Sequence, residues 1–523
     1  MLCRILFLPD GIEICVPAGT SLLDAAKAAG VWIDSPCGGS GTCGKCEVTL
    51  MRGGAARRVL ACRTAAQDCT VLLPEHGALQ MQTSGAARSV PLAPYPDRPA
   101  VEGGCLAAFD LGTTSIVCYL LDAQTGMQLT AQGMQNPQSA YGADVIARAN
   151  YVLTGSEPAA LRSCALDAMN RLLARAAAKA GRRAEQTTLL SIAGNTVMHH
   201  ILLGLPLEQL VRAPYTPYAK ERRVLSARAL GLDAHPDAIA LLAPVIGGFV
   251  GADTAACLSA TAFDQITHPA LLLDIGTNGE LVCTDGTRRV CCSTAAGPAF
   301  EGANISCGMR AERGAIDRVW LEDGVLRYSV IGDAPARGIC GSGLIDLVAL
   351  LVRTGTIDAS GRFCDGLALS DRLITSGDQT RAFRVTESGG VTLSQKDVRE
   401  LQLGKAAIRA GIRVLLGSLS LEEAQIRRVL LAGAFGAHLS AGALCDIGLL
   451  PEAFRGRIES IGNAAGEGAK LYARSAALFE QSEALAGSTE YIELTLSPAF
   501  SEAYVDAMPF PEQPDQESTD FVP

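Results

Sequence analysis

Four cysteines near the start of the chain have the spacing of ligands for an iron–sulfur cluster. The four thiols follow the pattern C-x5-C-x2-C-x15-C, at Cys37, Cys43, Cys46 and Cys62. The plant-type [2Fe–2S] spacing, C-x4-C-x2-C with a distant fourth cysteine, differs from it by one residue. Glycines separate the first three cysteines, and a loop that wraps an inorganic core needs positive φ angles and no obstructing Cβ atoms. The spacing therefore predicts a [2Fe–2S] cluster.

Zinc and disulfide bonds are the competing explanations for these cysteines. Structural zinc also uses four thiolates, but it favours paired C-x2-C knuckles, and Cys43 and Cys46 form the single such pair here. Disulfide bonds need an oxidising compartment. Cys69 is the one rival for the fourth ligand position. We favour Cys62, because the loop resembles that of [2Fe–2S] ferredoxins and Leu60–Arg63 resembles the segment that carries their last ligand.

Two turns rich in aspartate, glycine and hydroxyl groups recur about one domain apart. Asp110-Leu-Gly112-Thr113-Thr114-Ser115 follows the apolar strand Cys105–Phe109, and Asp274-Ile-Gly276-Thr277-Asn278-Gly279 follows Ala270–Leu273. Backbone N–H groups and hydroxyls that converge in such a turn form a nest for phosphate oxygens. The aspartates cannot face phosphate directly, so we expect them to bind Mg²⁺ or its water shell. The repetition predicts a duplicated fold whose two turns clamp a nucleotide.

A third glycine-rich element supports the nucleotide interpretation. It consists of Gly433, Ala434, Phe435 and Gly436 and follows the apolar strand Arg428–Leu431. Its small residues suit close packing against an adenine or a ribose. A Walker loop of the type G-x4-G-K-[ST] is absent from the sequence. The three elements together predict that the chain binds ATP with Mg²⁺.

Composition restricts the class of protein. The 523 residues are 48% hydrophobic and 19% charged, which predicts two to four domains with large cores. The net charge is −10 without a basic block, so nucleic acid is not an expected partner. No apolar run reaches about 18 residues, and the first ten residues lack a secretory pattern. With 18 cysteines, these features predict a cytoplasmic protein in a reducing environment, without a membrane span.

The elements around the motifs indicate the domains. Residues 1–78 are expected to form the cluster domain, with the strand order of a ferredoxin. Residues 79–102 are rich in proline and predict an extended, semi-rigid linker, which could hold that domain at a distance or let it swing. Residues 103–265 and 266–508 alternate strands and helices, which predicts two α/β halves. Residues 509–523 are acidic and are expected to be disordered.

The nucleotide elements resemble those of the superfamily of acetate kinase, sugar kinases, Hsc70 and actin. In that resemblance, Asp110–Ser115 is the first phosphate motif, Asp274–Gly279 the second and Leu431–Gly436 the adenosine motif. The connecting helices would begin near Gly247 and Gly462. The implied fold class is multidomain α/β and α+β: a ferredoxin-like (β-grasp) [2Fe–2S] domain followed by a duplicated RNase H-like, actin-like ATPase fold. Asp110 and Asp274 would be its catalytic carboxylates.

The order of the whole chain is similar to that of the reductive activators of corrinoid proteins. The resemblance covers about residues 1–508 and includes Asn136–Asp144, Ala193–His199 and Ala296–Asn304. It implies one-electron transfer from the cluster to Co(II), with ATP consumed, to regenerate Co(I). The implied partners are a corrinoid protein of a methyltransferase system and an upstream low-potential electron donor, and a homodimer is expected.

Two other functions remain open at this point. A sugar or acyl kinase with a redox-sensing domain would need a catalytic base, and the sequence shows no clear one. A non-catalytic electron carrier could use the ATPase fold only to sense nucleotide. Whether Glu301 or Asn304 touches the nucleotide is also open. His199 and His200 lack partners at ligand spacing, which favours a structural role over metal binding.

Overall fold

The computed structural model divides the chain into two compact units. The first comprises Met1–Gly77 and Leu92–Leu242, and the second Ala78–Pro91 and Ala243–Pro523. The structure describes residues 2–8, 11–29, 31, 33, 35, 39, 41, 46–73, 85, 87–93, 95–155, 157, 159–365, 369–375, 380–433 and 439–512. None of the helices in these ranges has both the length and the apolar character that a membrane span requires.

The N-terminal part of the first unit is a five-stranded sheet with one helix. Its elements are β1 (Leu2–Leu8), β2 (Ile12–Pro17), α1 (Leu22–Ala28), β3 (Glu47–Arg52), β4 (Ala55–Leu60) and β5 (Cys69–Leu72). The strand order is β2-β1-β5-β3-β4, in which β1 and β5 are parallel. Alternate residues of β1, including Ile5 and Phe7, are buried in one core with Leu22 of α1. This mixed sheet with a helix is the expected β-grasp arrangement.

Strand β4 has no counterpart in the sequence prediction. Its residues Ala55–Leu60 are mostly exposed, so they show no alternation of apolar and polar side chains. The strand forms because Gly53 and Gly54, which have φ angles of 56° and 82°, turn the chain back onto β3. The hairpin matters for the cluster site, since Cys46 and Cys62 flank its two strands.

The rest of the first unit is built on a six-stranded sheet. Its strands are β6 (Cys105–Leu111), β7 (Ser115–Asp122), β8 (Gln128–Gln135), β9 (Thr187–Gly194), β10 (Arg223–Ser226) and β11 (Ile239–Leu242). Its helices are α2 (Val145–Thr154), α3 (Ala160–Lys179), α4 (Thr196–Leu203) and α5 (Ala227–Leu230). The strand order is β10-β11-β9-β6-β7-β8. Strands β6, β7 and β8 form an antiparallel meander, and β9 and β11 run parallel to β6.

The second unit contains a sheet in which five strands repeat this topology, while the sixth strand lies at the opposite edge. Its strands are β12 (Ala270–Ile275), β13 (Gly279–Thr284), β14 (Arg289–Thr294), β15 (Ala315–Glu322), β16 (Val325–Val330), β17 (Gly338–Ile339), β18 (Leu373–Thr375), β19 (Arg381–Arg384), β20 (Thr392–Ser394), β21 (Arg428–Ala432), β22 (Ile458–Gly462) and β23 (Thr489–Tyr491). The main sheet has the order β22-β21-β12-β13-β14-β23, again an antiparallel meander beside two parallel strands. The duplication predicted from the two aspartate turns is therefore present as a repeated topology.

The helices of the second unit pack against this sheet and against two three-stranded sheets, β16-β15-β17 and β18-β19-β20. They are α6 (Ala252–Ala260), α7 (Gly341–Arg353), α8 (Gln395–Ser418), α9 (Ala441–Asp446), α10 (Ala464–Arg474), α11 (Ala476–Gly487) and α12 (Pro498–Asp506). The expected connecting helices are α6 and α10, which pack against each other. Gly468 permits this close approach, because a Cβ atom there would lie 2.1 Å from the Ala256 carbonyl oxygen. Helix α6 therefore belongs to the second compact unit. The sequence prediction assigns it to the first half, which ends at residue 265.

The described part of the proline-rich linker is hydrogen-bonded rather than free. In the second unit, the Arg88 N–H donates to Ala260 O, and Arg474 donates to Val90 O. In the first unit, Arg98 donates to the Thr188 hydroxyl. These bonds anchor each end of the linker to a folded unit, so this part of it is not a free spacer.

The C-terminal segment is packed beyond the boundary at 508 that the sequence predicts. Phe510 is buried, and its N–H donates to Ala359 O. The predicted tail therefore starts with ordered residues, because an aromatic side chain fills the core next to α8. The remainder of that tail, residues 513–523, lies outside the described residues.

A buried lysine holds this segment in place. The Lys405 ammonium donates to Ala507 O and Pro509 O at 2.7 and 2.6 Å and lies 5.1 Å from the centre of the Phe510 ring. Burial, together with the charge of Arg409, lowers the pKa of Lys405 to about 7.

The lowered pKa predicts a pH-dependent contribution to stability. Between about pH 7 and the ordinary lysine value of 10.5, the unfolded chain binds a proton that the native state lacks. The free energy of unfolding should therefore rise with pH in this window. Lys405→Met should lose that part of the rise, as measured by anaerobic denaturant unfolding at several pH values. Lys396→Met, at an exposed position of the same helix, is the control, and equal slopes in all three proteins would contradict the assignment.

Candidate functional site

Two of the predicted cluster ligands lie side by side. The Sγ atoms of Cys46 and Cys62 are 3.2 Å apart, too far for a disulfide bond of about 2.05 Å and close enough for one iron atom to bind both. The hairpin register explains the pairing, because Glu47 faces Leu60 and the Ala61 N–H donates to Cys46 O. The other two predicted ligands, Cys37 and Cys43, lie outside the described residues. The thiol pair fits an iron–sulfur centre.

The surroundings of Cys62 and Cys69 differ in ways that favour Cys62. Cys69 is part of β5, opposite Ile5, and burial raises the pKa of its thiol. A raised pKa disfavours the thiolate that binds metal. Next to Cys62 lies Gly39, whose φ is 97° and whose Cβ, if present, would come within 3.1 Å of Leu23 and 3.9 Å of Cys62. The loop can therefore approach Cys62 closely only with glycine there.

The first aspartate turn lies at the end of β6 in the first unit. Asp110 pairs with Val117 of β7 and with Ala193 of β9. Gly112 leaves room for the turn, since a Cβ atom there would lie 2.8 Å from Ser115 O. The Thr113 hydroxyl accepts a hydrogen bond of 2.8 Å from Asn195, which also caps α4. Strand β9 thus brings the Ala193–His199 stretch against the predicted phosphate turn. Thr114 completes the turn, and Ser115 begins β7.

The second aspartate turn lies at the end of β12 in the second unit. The Gly276 N–H donates to Asn278 O at 2.8 Å, which closes the turn. The Thr277 hydroxyl donates to Glu301 at 2.7 Å, so Glu301, left open by the sequence, contacts the turn itself. Asn304 lies nearby in the chain with a φ of 63°.

The predicted adenosine element begins next to Asp274. Strand β21 runs parallel to β12 and places Ala432 opposite Asp274. The following Gly433 has a φ of 98°, and a Cβ atom there would lie 2.7 Å from Asp274 Oδ1. Glycine is therefore required by both backbone conformation and space. The rest of the predicted element, Ala434, Phe435 and Gly436, lies outside the described residues.

A half-buried glutamate beside Asp274 was missed by the sequence analysis. Glu280 faces Asp274 across the β12–β13 pair and accepts a hydrogen bond of 3.1 Å from Ser293. Burial, with the charges of Asp253 and Asp274, raises the pKa of Glu280 well above its ordinary value. The signal in the sequence was a carboxylate at the start of an apolar strand, directly after the predicted turn.

The two adjacent histidines have structural surroundings. Burial lowers the pKa of His199 to about 3, which keeps the ring neutral. His200 contacts Thr196 O through Nδ1 and accepts a hydrogen bond from the Tyr218 N–H through Nε2. Both ring nitrogens of His200 are thus engaged by backbone groups, as a structural role requires.

Family models match three consecutive parts of the chain. The 2Fe-2S iron-sulfur cluster binding domain matches residues 6–67, the RACo middle region matches 105–266, and the C-terminal domain of RACo, the ASKHA domain, matches 268–520. The corrinoid activation enzyme RamQ of Eubacterium limosum is 30% identical over an alignment of 583 positions, which covers 96% of this chain and 98% of RamQ. This chain belongs to the family of reductive activators of corrinoid proteins.

Other members and a solved structure agree with this assignment. The [Co(II) methylated amine-specific corrinoid protein] reductase of Methanosarcina barkeri is 25% identical to this chain. The alignment covers 68% of this chain and 67% of the reductase. A solved structure titled reductive activator for corrinoid,iron-sulfur protein superposes with a TM-score of 0.73 at 27% identity and covers 98% of both chains. The activator therefore has the expected fold, a [2Fe–2S] domain joined to an actin-like ATPase.

The thiol geometry predicts the fourth cluster ligand. In anaerobically purified activator we expect about two iron atoms per chain and the electron paramagnetic resonance signal of a reduced [2Fe–2S] cluster. Cys62→Ser should lower the iron content and alter or abolish that signal, because it removes the thiolate next to Cys46. Cys69→Ser is the matched control and should change neither. An unaltered cluster in Cys62→Ser, or zinc in place of iron, would contradict the assignment.

Proposed function

We propose that this activator transfers one electron from a [2Fe–2S] cluster to the Co(II) of a corrinoid protein and regenerates Co(I) in an ATP-dependent reaction. The observation that carries the proposal is that one chain contains both a cluster domain and a duplicated nucleotide-binding fold. The alignment with RamQ extends over nearly the full length of both proteins. RamQ is named a corrinoid activation enzyme, and the M. barkeri protein is named a reductase of a Co(II) corrinoid protein.

Redox potential explains why an electron carrier needs ATP. Plant-type clusters lie near about −400 mV, and the Co(II)/Co(I) couple of such systems lies lower. Each deficit of about 59 mV reduces the equilibrium constant tenfold, or about 1.4 kcal/mol for one electron. ATP can offset the deficit only by binding one conformation of the activator–corrinoid complex more tightly than another. The ATPase part is therefore proposed to shift that conformational equilibrium.

The residues of the chain have distinct proposed roles in this scheme. Bound at the four cysteines, the cluster supplies a one-electron carrier. Cys46 and Cys62 would be two of its ligands, and Cys37 and Cys43 would be the other two. Near the second turn, the close approach of Gly433 to Asp274 and the hydrogen bond from Thr277 to Glu301 support the proposal of a phosphate site.

The nucleotide residues are proposed by position in the two turns. Asp110 and Asp274 would position Mg²⁺ against the phosphates. The backbone of the turns, together with the Gly433 element, would bind the nucleotide. The remaining turn residues in this proposal are Gly112, Thr113, Thr114, Ser115, Gly276, Thr277 and Asn278.

A shared cavity within the first unit supports a physical link between cluster and ATPase. A cavity of about 300 Å³ is lined by Leu23 and Lys27 of α1 and by Tyr141 and Cys164 of the larger sheet domain. Leu23 is also the side chain nearest to the Gly39 position in the cluster loop. The ferredoxin helix therefore lies next to Gly39 of the cluster loop and lines a cavity together with residues of the ATPase part, an arrangement that supports conformational coupling.

Three further features complete the proposal. An upstream low-potential donor is needed to reduce the cluster. The activator is proposed to act as a homodimer. Its proposed compartment is the cytosol, because its thiols need a reducing environment.

The coupling predicts a selective defect in Asp274→Asn. This variant should bind Mg-ATP more weakly or hydrolyse it more slowly, because the carboxylate that positions Mg²⁺ is lost. Its cluster should still reduce an easy acceptor such as a dye at the wild-type rate. Reduction of a Co(II) corrinoid protein, followed by the absorbance of Co(I) under anaerobic conditions with and without ATP, should fail.

The matched control for this experiment is Asp285→Asn. Asp285 lies in the exposed turn between β13 and β14, where its carboxylate accepts hydrogen bonds from Thr287 and Arg288. It should behave as wild type with both acceptors. If Asp274→Asn reduces the corrinoid at the wild-type rate in saturating ATP, the coupling does not pass through this site. ATP turnover with a sugar and without corrinoid would instead support a kinase.

A further inference from the structure

The segment of residues 136–148 packs against the carbonyl side of the first aspartate turn. It contains the Asn136–Asp144 stretch and the first residues of α2. Asn136 and Arg148 are fully buried, each with an exposed fraction of 0%. Neither residue belongs to the cluster site or to the aspartate turns, so the proposed function leaves their burial unexplained.

Three consecutive carbonyl groups of the turn accept hydrogen bonds from this 136–148 segment. Asn136 Nδ2 donates to Gly112 O at 2.8 Å, Arg148 Nη2 donates to Thr113 O at 2.6 Å, and the Asn136 N–H donates to Thr114 O at 2.9 Å. Because each peptide group is planar and trans, its N–H points opposite to its C=O. The N–H groups of these three peptides therefore point away from the 136–148 segment.

This orientation is the one that a phosphate nest needs. Successive N–H groups that point to one side form an anion-binding concavity. The 136–148 segment holds the carbonyl dipoles on the opposite side, where they cannot repel a phosphate. Arg148 adds a buried positive charge on that side, and a charge in a site of low dielectric acts more strongly on a nearby anion than one in water.

The guanidinium of Arg148 is itself held rigidly. Its Nε donates to Gly142 O at 3.0 Å, and its Nη1 contacts Gln138 Oε1 and Met198 Sδ at 3.4 and 3.5 Å. A planar guanidinium with several donors in fixed directions suits this task better than an ammonium group. The turn is thus clamped by a preorganised side chain rather than by a mobile one.

We propose that Arg148, supported by Asn136, is a positioning residue for the nucleotide phosphates. It orients the backbone of Gly112, Thr113 and Thr114 and supplies positive potential behind the turn, without touching the nucleotide itself. The inference rests on the proposed binding of ATP and deepens it. It predicts that the residue contributes to the binding of phosphate groups and not to that of the nucleoside.

The test is nucleotide affinity as a function of the number of phosphates. Calorimetric titration of the full-length, cluster-loaded protein with Mg-ATP, Mg-ADP and adenosine measures three dissociation constants. Arg148→Met should weaken ATP and ADP by about tenfold or more, equivalent to about 1.4 kcal/mol, and change adenosine affinity by less than about twofold. Arg148→Lys should weaken the binding of ATP and ADP less than Arg148→Met does, because an ammonium group keeps the positive charge. Some weakening should remain, because that group cannot reach both Thr113 O and Gly142 O.

A matched control separates this role from general loss of structure. Arg162 is a second guanidinium of the first unit that donates to two backbone carbonyls, Leu202 O and Leu230 O, both at 2.9 Å. Arg162→Met should leave all three dissociation constants unchanged. If Arg148→Met does not fold, the affinities of Arg148→Lys and Asn136→Asp for the same three ligands test the inference. Asn136→Asp keeps the cap on Gln138 but turns the donor to Gly112 O into an acceptor, so it should weaken ATP more than adenosine.

The outcomes distinguish the inference from the proposed function. Wild-type protein that binds neither ATP nor ADP would overturn both. Wild-type binding with unchanged ATP affinity in the Arg148 and Asn136 variants would overturn the inference alone. Equal weakening of ATP and adenosine would also overturn it, because that result indicates a structural role.

Discussion

Parallel pairing of two buried strands sets the geometry of each nucleotide-binding half. In the first half β6 pairs with β9, which places Asp110 opposite Ala193, and in the second β12 pairs with β21, which places Asp274 opposite Ala432. Most residues of these strands are buried. A slip of one residue would turn buried side chains to the wrong face of the sheet. The strand register therefore places the first aspartate turn beside Asn195, which follows β9, and the second beside Gly433, which follows β21.

Buried polar groups complete the two turns in different ways. Behind the first turn, the donors of Asn136 and Arg148 engage its carbonyl groups. Beside the second, the half-buried Glu280 lies opposite Asp274 and accepts a hydrogen bond from Ser293. Burying such groups costs free energy unless they are hydrogen-bonded. Their hydrogen bonds offset this cost and make the turn conformations well defined, which suits a site that must bind phosphate oxygens in one arrangement.

The cluster site depends on a hairpin rather than on a buried strand. The loop supplies three of the predicted cysteines, but the fourth arrives only because β3 and β4 pair in a register that sets Glu47 opposite Leu60. That register brings Cys46 and Cys62 together although 16 positions separate them in the chain. The cluster domain thus depends on the register of a hairpin, whereas the ATPase part depends on the parallel pairing of buried strands. They meet at the cavity between α1 and the larger sheet domain.

The sequence by itself determined the chemistry and the order of the domains. Ligand spacing, the repeat of the aspartate turns and the apolar strands before them are local properties, and their resemblance to known families made the β-grasp domain and the duplicated ATPase fold predictable. Helix α8 illustrates this, since its start at Ser394 with Asp397 is a local capping signal that the structure contains.

Only the tertiary structure decided which distant groups act together. The β4 strand escaped prediction because its exposed residues show no alternation, and Phe510 was placed in a tail because its packing partner, α8, is remote in the chain. The bonds from Asn136 to Gly112 and from Arg148 to Thr113 span 24 and 35 positions. Such contacts depend on how strands and helices pack, and no local pattern of residue types encodes them.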